Sequence, residues 1–512
     1  MSERKALLSI LFLVFLTILL RTAWLGDDAY ITMRSVDNWV HGYGLTWNPG
    51  ERVQTFSHPL WMLLLAGVYA VLGQAYFSLI GLSLLVSLGV MAVFIARASR
   101  DLSALAFGWL LLVLSHAFLD YSTSGLENPL SHLLALVFVL VFLERIPVPA
   151  NRRVFILSLL AGLAVLNRMD TLLLYLPALA GLLWQSKTRR RLMELVAGFI
   201  PFLLWSLFAL FYYGFIFPNT YYAKLNTAIP HTTLLHQGVI YYLNEVLFDP
   251  LTLAVIVCGL LASLAGAERR QRAIAFGMVL YLGYIFYIGG DLMSGRFFSI
   301  IFLMSVSLLL PHFEKFNWQT KALAGLAVLF LGLMAPSAAF LPPASIDIET
   351  AHRTGVSDER AFYYSASGLT RWGRSHKLPE HEWVSEGIAL REQQTPVYVG
   401  KGIGYLGFYA GPQVHVIDYF ALSDPLLARL PVQPGLKWDI GHIRREIPAG
   451  YLESLASAEN QIADPNLAAY YEKLSILTRA NLWSWERIST IVEFNLGRYL
   501  PLLDAYLQTK AH

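Results

Sequence analysis

Eleven apolar runs of 15–21 residues constrain this chain more than any other feature. They fall near 6–24, 78–96, 102–119, 129–144, 153–167, 171–185, 193–213, 249–266, 272–289, 297–312 and 320–337. A helix rises about 1.5 Å per residue, so such runs reach most or all of the way across a hydrocarbon layer roughly 30 Å thick. Within that layer every backbone N–H and C=O needs a partner inside the protein, which makes helices the form for runs this long. Charge is scarce to match. Only 14% of the 512 residues are Asp, Glu, Lys or Arg, against roughly 25% in soluble proteins, and this excludes a soluble enzyme. The formal charge of +3 is too small to point to nucleic acid. The single cysteine, Cys258, lies in an apolar run, so no intramolecular disulfide can form.

The Lys and Arg positions orient the chain. A twelfth run, 59–73, either spans or lies at the interface. If it does not cross, Arg97/Arg100, Arg145/Arg152/Arg153, Lys187/Arg189/Arg190/Arg191, Arg269/Arg270/Arg272 and Lys315/Lys321 share one side with Arg4 and Lys5. The expectation is therefore a polytopic, mostly α, integral membrane protein of about eleven transmembrane helices with a cytoplasmic amino terminus. The first run reads as a retained anchor, because Arg21-Thr22-Ala23-Trp24-Leu25 offers no small-x-small cleavage site. Residues 1–340 form the membrane module, with a large first outer loop at 26–77. Residues 343–512 turn polar, and 341–512 read as a soluble periplasmic α/β domain. Its βαβ unit is expected from strands at 397–400 and 414–417 around a helix at 403–409. Gly400-x-Gly402-x-Gly404 resembles a dinucleotide loop only weakly, since its third glycine is misplaced and no acidic partner follows. Helices are expected at 451–463 and 466–479, with Trp483 and Trp485 as packing residues.

This orientation gathers the polar loops on the outer face: 27–58, 120–129, 167–170, 217–224 and 289–298. Two adjacent carboxylates, Asp27 and Asp28, follow the first run directly. Carboxylates cost roughly 2.5–3.5 kcal/mol each at the centre of a bilayer and less at its edge, so acids beside hydrocarbon point to function. The plainer alternative is a helix cap, with the next helix starting near Ala29. Neighbouring residues on a helix diverge by about 100°, so both cannot face one site. Asp27 is expected to be the base and Asp28 the cap, or a group that tunes its neighbour. Aromatic faces at Tyr30, Trp47, Trp61, Tyr121, Tyr221 and Tyr222 suit a sugar ring. A carboxylate can deprotonate a hydroxyl, and Lys or Arg can meet a phosphate leaving group. Outside an inner membrane, that donor would be a lipid-linked sugar phosphate held among apolar helices.

The motifs themselves carry a resemblance. Asp27-Asp28-Ala29-Tyr30-Ile31-Thr32-x-Arg34, Gly44-Leu45-x-Trp47-Asn48-Pro49-Gly50-Glu51 and Ser57-His58-Pro59-Leu60-Trp61 look like the GT-C glycosyltransferases. Within these, the chain resembles the mycobacterial terminal β-(1→2)-arabinofuranosyltransferase family and its flagellar motor control and pilin arabinosyltransferase relatives. The similarity continues through Ser124-Gly125-Leu126-Glu127, Pro218-Asn219-Thr220-x-Tyr222-Ala223-Lys224, Gly290-Asp291-x4-Arg296-Phe297, Asp418-x2-Ala421-Leu422-x-Asp424-Pro425 and Gly441-His442-x-Arg444-Arg445. It implies a GT-C fold and a polyprenyl-phosphate arabinofuranose donor. It also implies a glycan or glycoprotein acceptor, and membrane lipids as surroundings. Arg296 and Lys224 are then expected at the donor phosphate. Tyr30, Arg34, His58, Trp61, Glu127, Asn219, Tyr222, Asp291 and Asp418 are expected at the substrate. No cofactor is implied firmly. A divalent cation held by Asp27, Asp28 and Asp291 stays open, whereas His116, His132 and His312 are too dispersed for a metal site. Two rivals remain from the residues alone: a lipid or glycan transporter, and a non-catalytic motor-control protein.

Overall fold

The computed structural model describes residues 3–184, 188–347, 354–373, 377–432, 435 and 438–510; Lys187 lies outside them. All eleven apolar runs are helical, but their helices differ in length from the runs. Three are long and apolar enough to cross a membrane, Arg4–Thr22, Ala75–Arg97 and Ala150–Asn167, and two bent pairs raise the number to five. Six further apolar helices have 10–17 residues, among them Leu102–Leu114, Phe298–Phe313 and Trp318–Leu333. Eleven full-length spans are therefore not what these helices supply.

Local chemistry explains the shortening. The run 102–119 breaks at Ser115, whose hydroxyl accepts from Phe118 N at 3.1 Å and opens a separate turn, His116–Asp120. The run 193–213 divides into Arg189–Gly198 and Ile200–Tyr213, bent by 54°. Pro201 has no N–H to give to the preceding turn, so the ladder fails there. His231–Phe248 and Pro250–Ala265 meet at 107° for the same reason, with Asp249 capping the second helix through Thr252 N at 3.2 Å. The ambiguous run is the helix Pro59–Leu72, which at 14 residues covers about 21 Å.

The carboxyl-terminal part contains the expected βαβ unit. Strands β1 (Val397–Gly400) and β2 (His415–Asp418) pair in parallel, Val397 opposite His415 and Gly400 opposite Asp418, around the helix Ile403–Ala410. These two strands are the whole sheet among the described residues, so the α/β portion is small and most of the remainder is helical. The helix expected at 451–463 ends at Ser457, where Ala458 turns left-handed at φ 62°. The next helix, Pro465–Arg479, is capped by Asp464, which accepts from Asn466 N and Leu467 N. Packing does not respect the compositional boundary near 340. One apolar core runs from Leu11 to Val416 and takes in Tyr363, Tyr405, Leu406 and Val414. A second core, around Ile417, Leu467, Tyr470 and Leu503, recruits Ala223 from the membrane module.

Candidate functional site

The five polar loops meet. Gly26 N donates to Ser124 O at 3.1 Å, and Asn219 N to Gln54 O at 2.8 Å. The Trp61 indole donates to Gly125 O at 3.0 Å. Asn167 donates to Glu127 O at 3.1 Å and Asn128 to Arg296 O at 3.3 Å. Around this junction opens a cleft of about 680 Å³, its open mouth included. Its polar wall is Asp28, Thr32, His58, Lys224, Asp291 and Arg296; Gly441 and His442 close it from the carboxyl-terminal part.

Asp28 stands in the first turn of the helix Asp27–Val40 and faces the cleft. Burial pushes its carboxyl above the usual range, Arg296 and Lys224 pull it back, and Asp291 and Glu127 push it up again. Asp27, one residue earlier, faces elsewhere. Its two oxygens accept from Gly404 N at 3.0 Å and Tyr405 N at 2.6 Å, at the start of the helix Ile403–Ala410. Burial raises it to about 7 despite these bonds. The roles expected for the pair are exchanged in geometry. Asp27 ties two helices together, and Asp28 is the acid that reaches open space.

Behind the cleft wall lies Glu127, fully buried and gripped on three sides. Arg296 Nη2 stands at 3.1 and 3.2 Å from its oxygens, Arg168 Nη1 at 3.2 Å and His58 Nδ1 at 3.3 Å. Burial alone would raise its carboxyl, but Arg296, His58 and Arg168 more than reverse this and hold it well below the usual range. Arg296 also reaches Asp291 at 3.4 Å, so two carboxylates offset its charge. His58 Nε2 shares a 2.8 Å hydrogen bond with Thr32, and burial keeps the ring below its ordinary pKa. Lys224 is different: it is exposed, lines the cleft and makes no ion pair among the described residues.

Several expected substrate residues stand outside the cleft lining, each for a visible reason. Tyr30 is buried among Tyr405, Phe408 and Tyr409, with ring centroids 4.8–6.2 Å away. Arg34 lies over Trp47 at 4.3 Å and donates to the carbonyls of Trp47, Gly407 and Val414 and to Asn48. It fastens the βαβ unit to the first outer loop. Trp61 is buried on Gly125. Asn219 donates to the carbonyls of Ala421, Leu422 and Asp424, within 2.9–3.1 Å. Asp418 accepts from Phe420 N and Leu422 N and shapes the same turn, its carboxyl raised by burial to about 7. Tyr222 meets Phe215 edge-on and lies under the Arg429 guanidinium in a separate crevice. Among the described residues no three His, Cys, Asp or Glu side chains group as metal ligands, and Asp27, turned onto backbone amides, does not join Asp28 and Asp291 as one set. Reading the sequence alone missed Thr32, Thr55, Ser57 and Thr220 in the lining. It also missed Glu359, a buried acid raised to about 8 by burial first and then by Asp28. Gly441-His442 stood in a quoted motif and was the available signal for the far wall.

No family model matches the chain. It is 29% identical over an alignment of 502 residues, 79% of this chain and 78% of the relative, to the terminal β-(1→2)-arabinofuranosyltransferase of Mycobacterium tuberculosis (strain ATCC 25618 / H37Rv). Among solved structures it overlaps the crystal structure of ArnT from Cupriavidus metallidurans bound to undecaprenyl phosphate. That match has a TM-score of 0.45 at 15% identity, over 82% of this chain and 76% of that one.

Proposed function

We propose that this chain is a membrane glycosyltransferase, taking a sugar from a polyprenyl-phosphate carrier and placing it on a hydroxyl of a cell-surface glycan or pilin. The cleft around Asp28 is its site, on the outer face of the inner membrane. Arabinofuranose is the sugar on the strength of the mycobacterial relative. The observation that carries the reading is the division of charge at the cleft. Arg296 and Asp291 in the lining and Glu127 and Arg168 behind it neutralise one another, while Asp28 and Lys224, also in the lining, make no ion pair among the described residues.

Asp28 takes the proton of the acceptor hydroxyl as that oxygen bonds to the anomeric carbon. The bond from carbon to phosphate oxygen breaks, and its electron pair leaves with the lipid phosphate, whose added charge Lys224 meets. Burial helps, because a carboxylate with a raised pKa is a stronger base. The test is transfer from synthetic polyprenyl-phosphoryl arabinofuranose in proteoliposomes, together with mass spectrometry of surface glycans and pilins from a strain lacking the protein. Asp28→Asn should abolish transfer and leave donor binding in place, since a base acts on the transition state. Wild-type turnover in Asp28→Asn would end this reading.

A further inference from the structure

One apolar surface in the carboxyl-terminal part takes no role in the cleft. Trp483 and Trp485, expected from sequence as packing residues, are 77% and 80% exposed, and Leu496 is 80% exposed. Their pattern is regular. At about 100° per residue, Trp485, Val492 and Leu496 fall within roughly 40° of one another on the helix Trp485–Asn495 and just past its end. The opposite side carries the buried Arg487, Thr490 and Ile491. The exposed side is therefore a stripe, and exposed Leu500 follows it.

The position of the stripe decides what covers it. The helix Trp485–Asn495 is fixed across the end of the apolar helix Ile200–Tyr213. Arg487 donates to Tyr212 O at 2.8 Å, and Asn495 donates to Gly214 O at 2.9 Å. Ile200–Tyr213 bares its own row to the outside: Ile200, Leu203, Leu204, Leu207 and Phe208. Phe211 continues that row by one turn, and the Trp483 ring packs on Phe211 with centroids 4.9 Å apart. The apolar surface thus passes without a break from a helix of membrane-spanning character to the stripe.

We infer that the helix Trp485–Asn495 lies on the outer leaflet, with Trp483 and Trp485 at headgroup depth and Val492, Leu496 and Leu500 against the acyl chains beneath. Tryptophan favours that depth, because its ring is apolar and its N–H needs a wet partner. Glu486 stands in the first turn of the helix and Glu493 beside Val492 is paired with Arg498, so the stripe carries no excess of cations and attachment comes from apolar insertion, not from attraction to anionic lipid. The inference rests on Ile200–Tyr213 being within the bilayer. It places the carboxyl-terminal part against the membrane, where a lipid-borne substrate would arrive.

Spin labels on single cysteines test this in the full chain with Cys258→Ala, reconstituted in phosphatidylcholine vesicles. Labels go at Trp485 and Val492, at Leu204 as the lipid reference, and at Glu472, an exposed residue on the neighbouring helix Pro465–Arg479, as the water reference. Oxygen concentrates in the bilayer and a nickel chelate stays in water. The ratio of oxygen to nickel relaxation at 485 and 492 should exceed that at 472 severalfold and should not change in high salt. A ratio at 485 and 492 equal to that at 472 overturns the inference. So does dipolar broadening that rises with protein density, which would assign the stripe to a second copy. Free nickel access at Leu204 would remove the bilayer position of Ile200–Tyr213 and the inference with it.

Discussion

Two adjacent carboxylates meet opposite fates because a helix turns by about 100° between them. Asp27 is spent on backbone amides, and Asp28 is left facing the cleft. The sign of Asp27's pH linkage follows from its pKa. The folded value is about 7, against roughly 3.9 in an unfolded chain. The folded state holds this proton more tightly, so the contribution is full below the unfolded value and is lost as pH rises towards 7. Asp27→Asn should flatten that part of the stability profile, read by thermal unfolding in detergent between acid and neutral pH; an unchanged slope would deny the link. At the other cleft charges, if Lys224 meets the donor phosphate as proposed, Lys224→Ala removes one charge-assisted hydrogen bond to it, worth roughly 1.5–3 kcal/mol, and should lower kcat/KM by about ten- to a hundredfold without a change in stability. Arg296→Ala should instead lose roughly 3–5 kcal/mol of stability, because it strips a partner from buried Glu127. The presence of these groups was legible in the sequence. Their pairing was not: Asp27 finds its partners 377 and 378 positions away, and nothing local reports such a contact.

The glycine triplet shows how an element is legible in outline and opaque in purpose. Gly400-x-Gly402-x-Gly404 marks the turn between strand and helix correctly, yet the glycines serve packing. Gly402 adopts φ +61°, and a Cβ there would stand 2.3 Å from the Trp383 ring. A Cβ on Gly404 would stand 1.8 Å from the carbonyl oxygen of Asp27, which is backbone and cannot swing aside. Here two helices touch with no side chain between them, and that closeness lets Asp27 cap the second. Gly404→Ala should cost about 1–3 kcal/mol or more by overpacking, seen as a lower Tm together with lost transfer. A variant with unaltered Tm would mean that the helix can retreat freely. Helix ends follow the same lesson. Apolar runs announce helices, but Ser115 and Pro201 decide where they stop, and those stops depend on single backbone hydrogen bonds.

At the scale of the molecule, the alternation of basic clusters implies that the meeting loops lie outside. Cysteines at Arg189 and Tyr221, both exposed, should react from opposite sides of the membrane, Tyr221 from the outside. Labelling from one side would break the link between the cleft and an external donor. Composition divides the chain near residue 340, yet the apolar core crosses that line as far as Val416. Hydropathy records what each segment is made of, whereas a core depends on which segments touch, so the division was readable and the fusion was not. The wall at Gly441 and His442 has a consequence for biogenesis. While the chain is being synthesised, the segments carrying Asp28 and Arg296 are made long before that wall exists. A nascent or prematurely ended chain would present this cleft without its far wall. On the proposed function, the cleft would be complete only once the segment at Gly441 and His442 has docked against the helices made first.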